Sequence, residues 1–154
     1  MRITSVDDEA DFLVILDHIL GRAFPTARLT SFRSPRLAFE HIQAHGTDFI
    51  VTNHGVGGTS GPDLVRVLRV HGVEVPIVMI ASDPDVRSEA FEAGANNFLD
   101  KAHLEELPGI IRSRLTREIS TCEAEQKARL RDTGRVEYKK AAESWSEQSA
   151  CLLL

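Results

Sequence analysis

The sequence predicts a doubly wound α/β fold: a five-stranded parallel sheet covered by helices on both faces, with a helical C-terminal extension. Three observations predict it. Short β-favouring runs alternate five times with stretches of helical periodicity, which implies parallel strands joined by right-handed crossovers. The run Val75 to Ile80 is apolar at nearly every position, as expected of a strand buried on both faces. Polar residues gather where the strands end: Asp7 and Asp8 after the first, Asn53 after the third, and the segment 81–101 after the fourth. In an open α/β sheet such residues converge on one crevice at the carboxyl edge.

The elements follow in order. Ile3 to Val6 is a β-favouring run ending at Asp7-Asp8-Glu9, and Phe12, Leu13, Ile15, Leu16, Ile19 and Leu20 then follow helical spacing until Gly21 offers a stop. Ala27 to Phe32 reads as the second strand. Ser34-Pro35 opens a helix whose stripe is Leu37, Ala38, His41 and Ile42, with Gly46 as its end. Phe49 to Val51 is the third strand, ending at Thr52-Asn53 in a glycine-rich loop. Pro62 starts a helix carrying Leu64, Val65, Val67 and Leu68, and Gly72 closes it. After the fourth strand, Val86, Ala90 and Phe91 mark a fourth helix, Asn97 to Leu99 a short strand, and His103 to about Glu118 a fifth helix. Pro108, inside that last pattern, predicts a late start or a kink.

Composition narrows the function. A chain of 154 residues, 42% hydrophobic, holds one ordinary domain with an appendage. The expected division is a domain over 1–118 and a helical or partly disordered tail over 119–154. Residues 1–118 carry 12 Lys+Arg against 17 Asp+Glu, and the tail carries six of each. With a net charge of −5 and no basic cluster, recognition of nucleic acid by phosphate neutralisation is excluded. The two cysteines, Cys122 and Cys151, suggest neither a disulfide framework nor a zinc site. No signal-like segment or membrane-length apolar run is present, so a cytoplasmic protein is expected.

The chemistry centres on the stretch from Asp48 to Gly61. Asn53 places an amide at a strand end where chemistry would want a carboxylate. Asp7 and Asp8 are suited to an oxygen-ligated cation. His54 reads as polar surface, and Gly55, Gly57, Gly58 and Gly61 match no phosphate-cradling fingerprint.

The ordered set of an acid pair after strand one, Asn53 after strand three, Ala81 after strand four and Lys101 after strand five resembles a response-regulator receiver domain. Asp48 lies five residues before Asn53 and Gly61 eight after, while Ala93-Gly94-Ala95-Asn96-Asn97-Phe98-Leu99-Asp100-Lys101 is similar to the family's segment leading to its lysine. The resemblance covers residues 1 to about 118. It implies a flavodoxin-like fold with strand order 2-1-3-4-5. It also implies phosphoryl transfer from a histidine kinase to an aspartate, with magnesium on the acid pair and the lysine on the phosphoryl oxygens.

The departures reshape that expectation. Asn53 stands at the phosphoacceptor position, and a neutral carboxamide is a poor nucleophile, so Asn53 is not expected to be phosphorylated. Ala81 replaces the hydroxyl residue of the switch, with Ser82 beside it expected to point elsewhere, and Phe98 is the switch aromatic. Gly57 stands where a proline is usual. Ala102 follows Lys101 where the family has a cis proline; a cis bond to a non-proline costs ~3 kcal/mol, so a trans bond is expected. Lys101 is expected to pair with Asp7, Asp8 or the Asn53 carbonyl. With one carboxylate fewer, magnesium on Asp7 and Asp8 is expected to be weak or absent.

The tail offers one apolar stripe, Tyr138, Ala141, Ala142 and Trp145, with Gly134 as its break. Cys151 to Leu154 has the form of a prenylation box, but with no polybasic run a packed or frayed end is expected and no membrane association. The resulting expectation is a non-phosphorylatable receiver that is not an enzyme. It would act by binding a protein: a histidine kinase, a phosphotransfer protein or another receiver, with a homodimer possible. The alternatives are a module sensing a small ligand or ion in the acid pocket, and an atypical phosphoryl acceptor or metal-assisted hydrolase.

Overall fold

A computed structural model describes residues 1–56, 58–117 and 124, and the chain divides into two units, Met1–Arg112 and Ser113–Leu154. Gly57, Cys122, Gly134, the stripe from Tyr138 to Trp145 and the Cys151 to Leu154 end lie outside the described residues.

The first unit runs β1 (Arg2–Val6), α1 (Ala10–Ala23), β2 (Arg28–Phe32), α2 (Pro35–His45), β3 (Phe49–Asn53), then a hairpin of two-residue strands, Gly55–Val56 and Thr59–Ser60. It continues with α3 (Gly61–Val70), β4 (Ile77–Ala81), a 3-10 turn (Pro84–Val86), α4 (Arg87–Glu92), β5 (Asn97–Asp100), a 3-10 segment (Lys101–Glu106) and the start of α5 (107–117). All pairings in the five-stranded sheet are parallel and its order is β2-β1-β3-β4-β5, the arrangement the resemblance implied. The chain reverses direction across the sheet between β1 and β3, which is where such sheets open a crevice.

The alternation of side chains along each strand divides the core in two. One face buries Val6, Ile50, Ile77 and Met79 with Ala38 and Ile42 of α2 and Leu64, Val65 and Leu68 of α3. The opposite face buries Ile3, Phe49, Val51, Val78 and Ile80; Leu13, Leu16 and Leu20 of α1, and Leu107 and Ile111 of α5, are also buried. Each fully buried large aliphatic or aromatic side chain is worth about 1.5–3 kcal/mol, so this double layer is the main source of stability.

Helix starts obey local chemistry. The Ser34 hydroxyl accepts from the Leu37 amide ahead of Pro35, and the Ser60 hydroxyl accepts from the Asp63 amide. Several boundaries move from expectation. α1 runs through Gly21 to Ala23, where the burial of Leu20 against the sheet outweighs glycine's helix penalty. β3 continues through Thr52 and Asn53 because its ladder with β4 extends to the pair Asn53 and Ile80. The fifth helix begins at 107, not His103, with Pro108 in its first turn, so the proline marks the late start.

One residue ties two connections together. Arg69, near the end of α3, donates to the carbonyls of Gly94, Val73 and Val75 and to Asn96 Oδ1, at distances from 2.5 to 3.0 Å. Asn96 Oδ1 also accepts from the Ile77 amide, so the clamp sets where β4 starts beside β5. Among the described residues no helix is long and apolar enough to cross a membrane.

Candidate functional site

The carboxyl ends of β1, β3 and β4 open into a cleft of about 530 Å³ lined by Asp8, Glu9, Asn53, His54, Ala81, Ser82 and Lys101, among others. Ser82 is among the cleft's lining residues, at the start of the loop that follows β4.

Asp7, at the end of β1, is tied to the cleft through its ion pair with Lys101. It has no exposed surface; Oδ1 accepts from the Glu9 amide at 2.8 Å, while Oδ2 is buried without a hydrogen bond. Burial raises its pKa above the ordinary carboxylate value, against the lowering effects of the Glu9 amide and the Lys101 charge. Asp8 is half-buried at the cleft wall, and its backbone carbonyl accepts from Arg33 Nε at 3.0 Å.

Lys101 closes over Asp7. Its Nζ lies 3.6 Å from Asp7 Oδ2 and 3.2 Å from Glu9 Oε1, and 4.1 Å from the centre of the Phe12 ring. The expected partners were Asp7, Asp8 or the Asn53 carbonyl; the structure pairs it with Asp7 and with Glu9. The Asp100 carboxylate accepts from the Ala102 amide at 2.8 Å and fixes the turn that aims the lysine, with a trans bond after it.

Asn53 is buried and fully used by its own loop. Its Oδ1 accepts from the His54 amide at 2.9 Å, and its Nδ2 donates to the Gly55 carbonyl at 3.0 Å. The second bond needs an amide, since an aspartate there would face the Gly55 carbonyl with another acceptor. An Asn side chain bonding two residues ahead in a glycine-rich turn is a readable signal that the sequence reading missed. Gly61 completes the loop: a Cβ there would stand 2.0 Å from the Asn53 carbonyl oxygen, which only glycine avoids. His54 reaches outward, its Nε2 at 3.1 Å from Glu89 Oε2 on α4.

The switch positions are inert or remote. Ala81 is buried at the end of β4, opposite Asp100 on β5, and has no group to follow a ligand. Phe98 is half-buried against the helix α2 to α4 side of the core, with the Arg87 guanidinium 5.9 Å from its ring centre, and does not line the cleft.

Magnesium demands near-octahedral oxygen ligation, commonly with one or two carboxylates and several waters. Asp7 and Asp8 are the carboxylates that would hold it. The third strand end, however, supplies a neutral oxygen already engaged by His54, and the Lys101 ammonium already compensates Asp7. Among the described residues no group of three or more His, Cys, Asp or Glu is placed to hold a metal ion. Asp7 and Asp8 thus offer two carboxylates, the first already compensated by Lys101, and a divalent cation there would need its remaining oxygens from water.

The response regulator receiver domain family matches residues 3–112. Among curated proteins, the chain is 33% identical over 98 residues to response regulator protein PilR of Pseudomonas aeruginosa, covering 62% of this chain and 22% of the relative. It is 28% identical over 105 residues to cyclic di-GMP phosphodiesterase response regulator RpfG of Xanthomonas campestris, covering 66% of this chain and 28% of the relative. The chain therefore spans about a quarter of the length of these relatives. Among solved structures, a putative response regulator from Chloroflexus aurantiacus superposes with TM-score 0.69 at 25% identity, over 75% of this chain and 97% of that one. Chemotaxis protein CheY4 of Vibrio cholerae superposes with TM-score 0.67 at 21% identity, over 73% and 97%. With its fold, its strand-end residues and most of its length accounted for in this way, the chain belongs to the receiver domain family of response regulators, the receiving module of two-component signalling.

Proposed function

We propose that this chain is a receiver that takes no phosphoryl group and signals by binding a protein partner in the cytoplasm, as a binding module and not an enzyme. The observation that carries the reading is Asn53. Its amide is committed on both ends to the hairpin it opens, so the position that would accept a phosphoryl group is neutral, buried and structurally occupied. The Lys101 ammonium on Asp7 and Glu9 supports the same reading, because it supplies from within the positive charge that an ion would otherwise bring. Ala81 removes the hydroxyl through which occupancy would be relayed.

Such a domain presents one surface whether or not a phosphoryl donor is present. The partner is a histidine kinase, a phosphotransfer protein or another receiver, including a second copy of this chain. The test is affinity for a set of kinase dimerisation domains and receivers, with and without acetyl phosphate. The reading expects at least one saturable partner whose affinity is the same under both conditions. A partner whose affinity changes when this chain alone has been incubated with the donor, and the donor removed before mixing, would overturn it.

A further inference from the structure

At the opposite end of the sheet from the acid cleft, the parallel register sets Arg2 beside Arg28 and Thr4 beside Thr30 on one face. Like charges directly opposed on neighbouring strands are destabilising, so the pairing calls for an anion. Only Arg2 has one: it binds Asp48 at 2.8 Å, and its other nitrogen donates to the His45 carbonyl, covering the negative end of α2. Gly46, with φ of +67°, leaves room for this guanidinium, which would stand 3.1 Å from a Cβ. Arg28 has no ion-pair partner and the Thr30 hydroxyl no hydrogen bond among the described residues.

Over this pair lie His41 and His45, one turn apart on α2, with ring centres 4.6 Å apart and nearly parallel. His45 Nδ1 sits 3.2 Å from the His41 carbonyl, which leaves its Nε2 open. The titratable and charged groups that line the recess with His41 are His45 from its own helix, Arg28 from β2 and Arg2 from β1, the last engaged by Asp48. Burial first, then His45 and Arg28, hold the His41 pKa below the ordinary imidazole value. Two histidines a turn apart would also suit a transition metal, but adjacent guanidinium groups repel a cation and no third ligand converges among the described residues.

These residues enclose a recess of about 160 Å³. At ~30 Å³ for each water of the liquid, it holds about five waters, room for one tetrahedral oxyanion but not for a nucleoside. We propose that this recess binds a phosphate group, held by the Arg28 guanidinium, the Thr30 hydroxyl and the His41 and His45 imidazoles. The site is separate from the acid cleft and independent of the reading of Asn53.

The test is a titration of the full chain with inorganic phosphate, followed through the histidine ring resonances and assigned with His41→Gln. Binding is expected to saturate by about 20 mM, as a millimolar or tighter site does, with the His41 titration midpoint moving upward. Chloride at matched ionic strength is expected to leave that midpoint in place. Because Arg28 is exposed, Arg28→Gln keeps the fold, and its loss of one charged hydrogen-bond donor is expected to weaken binding about tenfold or more. Arg36→Gln on the outer face of α2 is expected to change nothing. A parallel titration with glycerol 3-phosphate separates the sources: tighter binding than phosphate assigns a phosphorylated metabolite, and equal or weaker binding assigns the free ion. No saturation, equal effects from chloride, or binding untouched by Arg28→Gln would overturn the proposal.

Discussion

Replacing Asp7 with Asn should stabilise the protein at neutral pH and lose that advantage in acid. The carboxylate is wholly buried and, among the described residues, one of its oxygens has no hydrogen bond, while the Lys101 ammonium is 3.6 Å away and shared with Glu9. Its pKa is raised in the fold, chiefly by burial. For an acid the sign follows: the folded state prefers the protonated form, so ionised Asp7 costs stability above the folded pKa. That cost is relieved as pH falls through the folded pKa towards the ordinary value of 3.8. Burying an imperfectly compensated charge costs more than burying a neutral group; Asn removes the charge and keeps the Glu9 amide bond through its carbonyl, while its Nδ2 takes the place of Oδ2 without gaining a partner, which limits the benefit. Lys101 retains Glu9 and the Phe12 ring. Asp7→Asn is therefore expected to gain about 1–2 kcal/mol at pH 7.5, a Tm rise of several degrees, with an unchanged urea m-value. Urea unfolding of both proteins across the acid range measures it. A destabilised variant at pH 7.5, or a gain that does not shrink with falling pH, would refute the reasoning.

Three further outcomes are expected. Gly61→Ala should cost about 1–3 kcal/mol or more in urea unfolding, because its Cβ meets the backbone carbonyl of Asn53, which cannot step aside cheaply. Arg69→Leu should cost about 2–3 kcal/mol, since the part-buried carbonyls it serves lose a charged donor, and hydrogen exchange should rise first at the α4 to β5 connection. Magnesium at about 10 mM should raise stability by no more than about 0.4 kcal/mol, the value for a Kd equal to that concentration; in Asn53→Asp the restored carboxylate should tighten binding about tenfold or more.

Much of this was legible from the residues. Five alternations and the continuous apolarity of Val75 to Ile80 were enough for the sheet, because burial on both faces leaves no polar alternation to misread. Asp7, Asp8, Asn53 and Lys101 were found because strand ends are marked by abrupt changes in polarity; the structure lines one cleft with Asp8, Asn53 and Lys101 and pairs Lys101 with the buried Asp7. Glu9 was missed because it reads as the third of three surface acids, and only the path of the Lys101 turn makes it a partner. Arg69 was missed for a different reason: its acceptors are backbone carbonyls up to 25 residues away, and carbonyls leave no trace in a sequence. The role of Asn53 as a structural amide was half legible. The residue type excluded the nucleophile, while the bond to Gly55 depended on the hairpin closing behind Gly61.

Intact mass after incubation with acetyl phosphate and magnesium tests the central claim most directly, run on this protein and on Asn53→Asp. The variant loses the Gly55 bond and is expected to be about 1 kcal/mol less stable, so its folding is checked alongside. The account predicts no added phosphoryl group on this protein and one on the folded variant, which would place the block at the nucleophile. A phosphoryl group gained by this protein itself would contradict it.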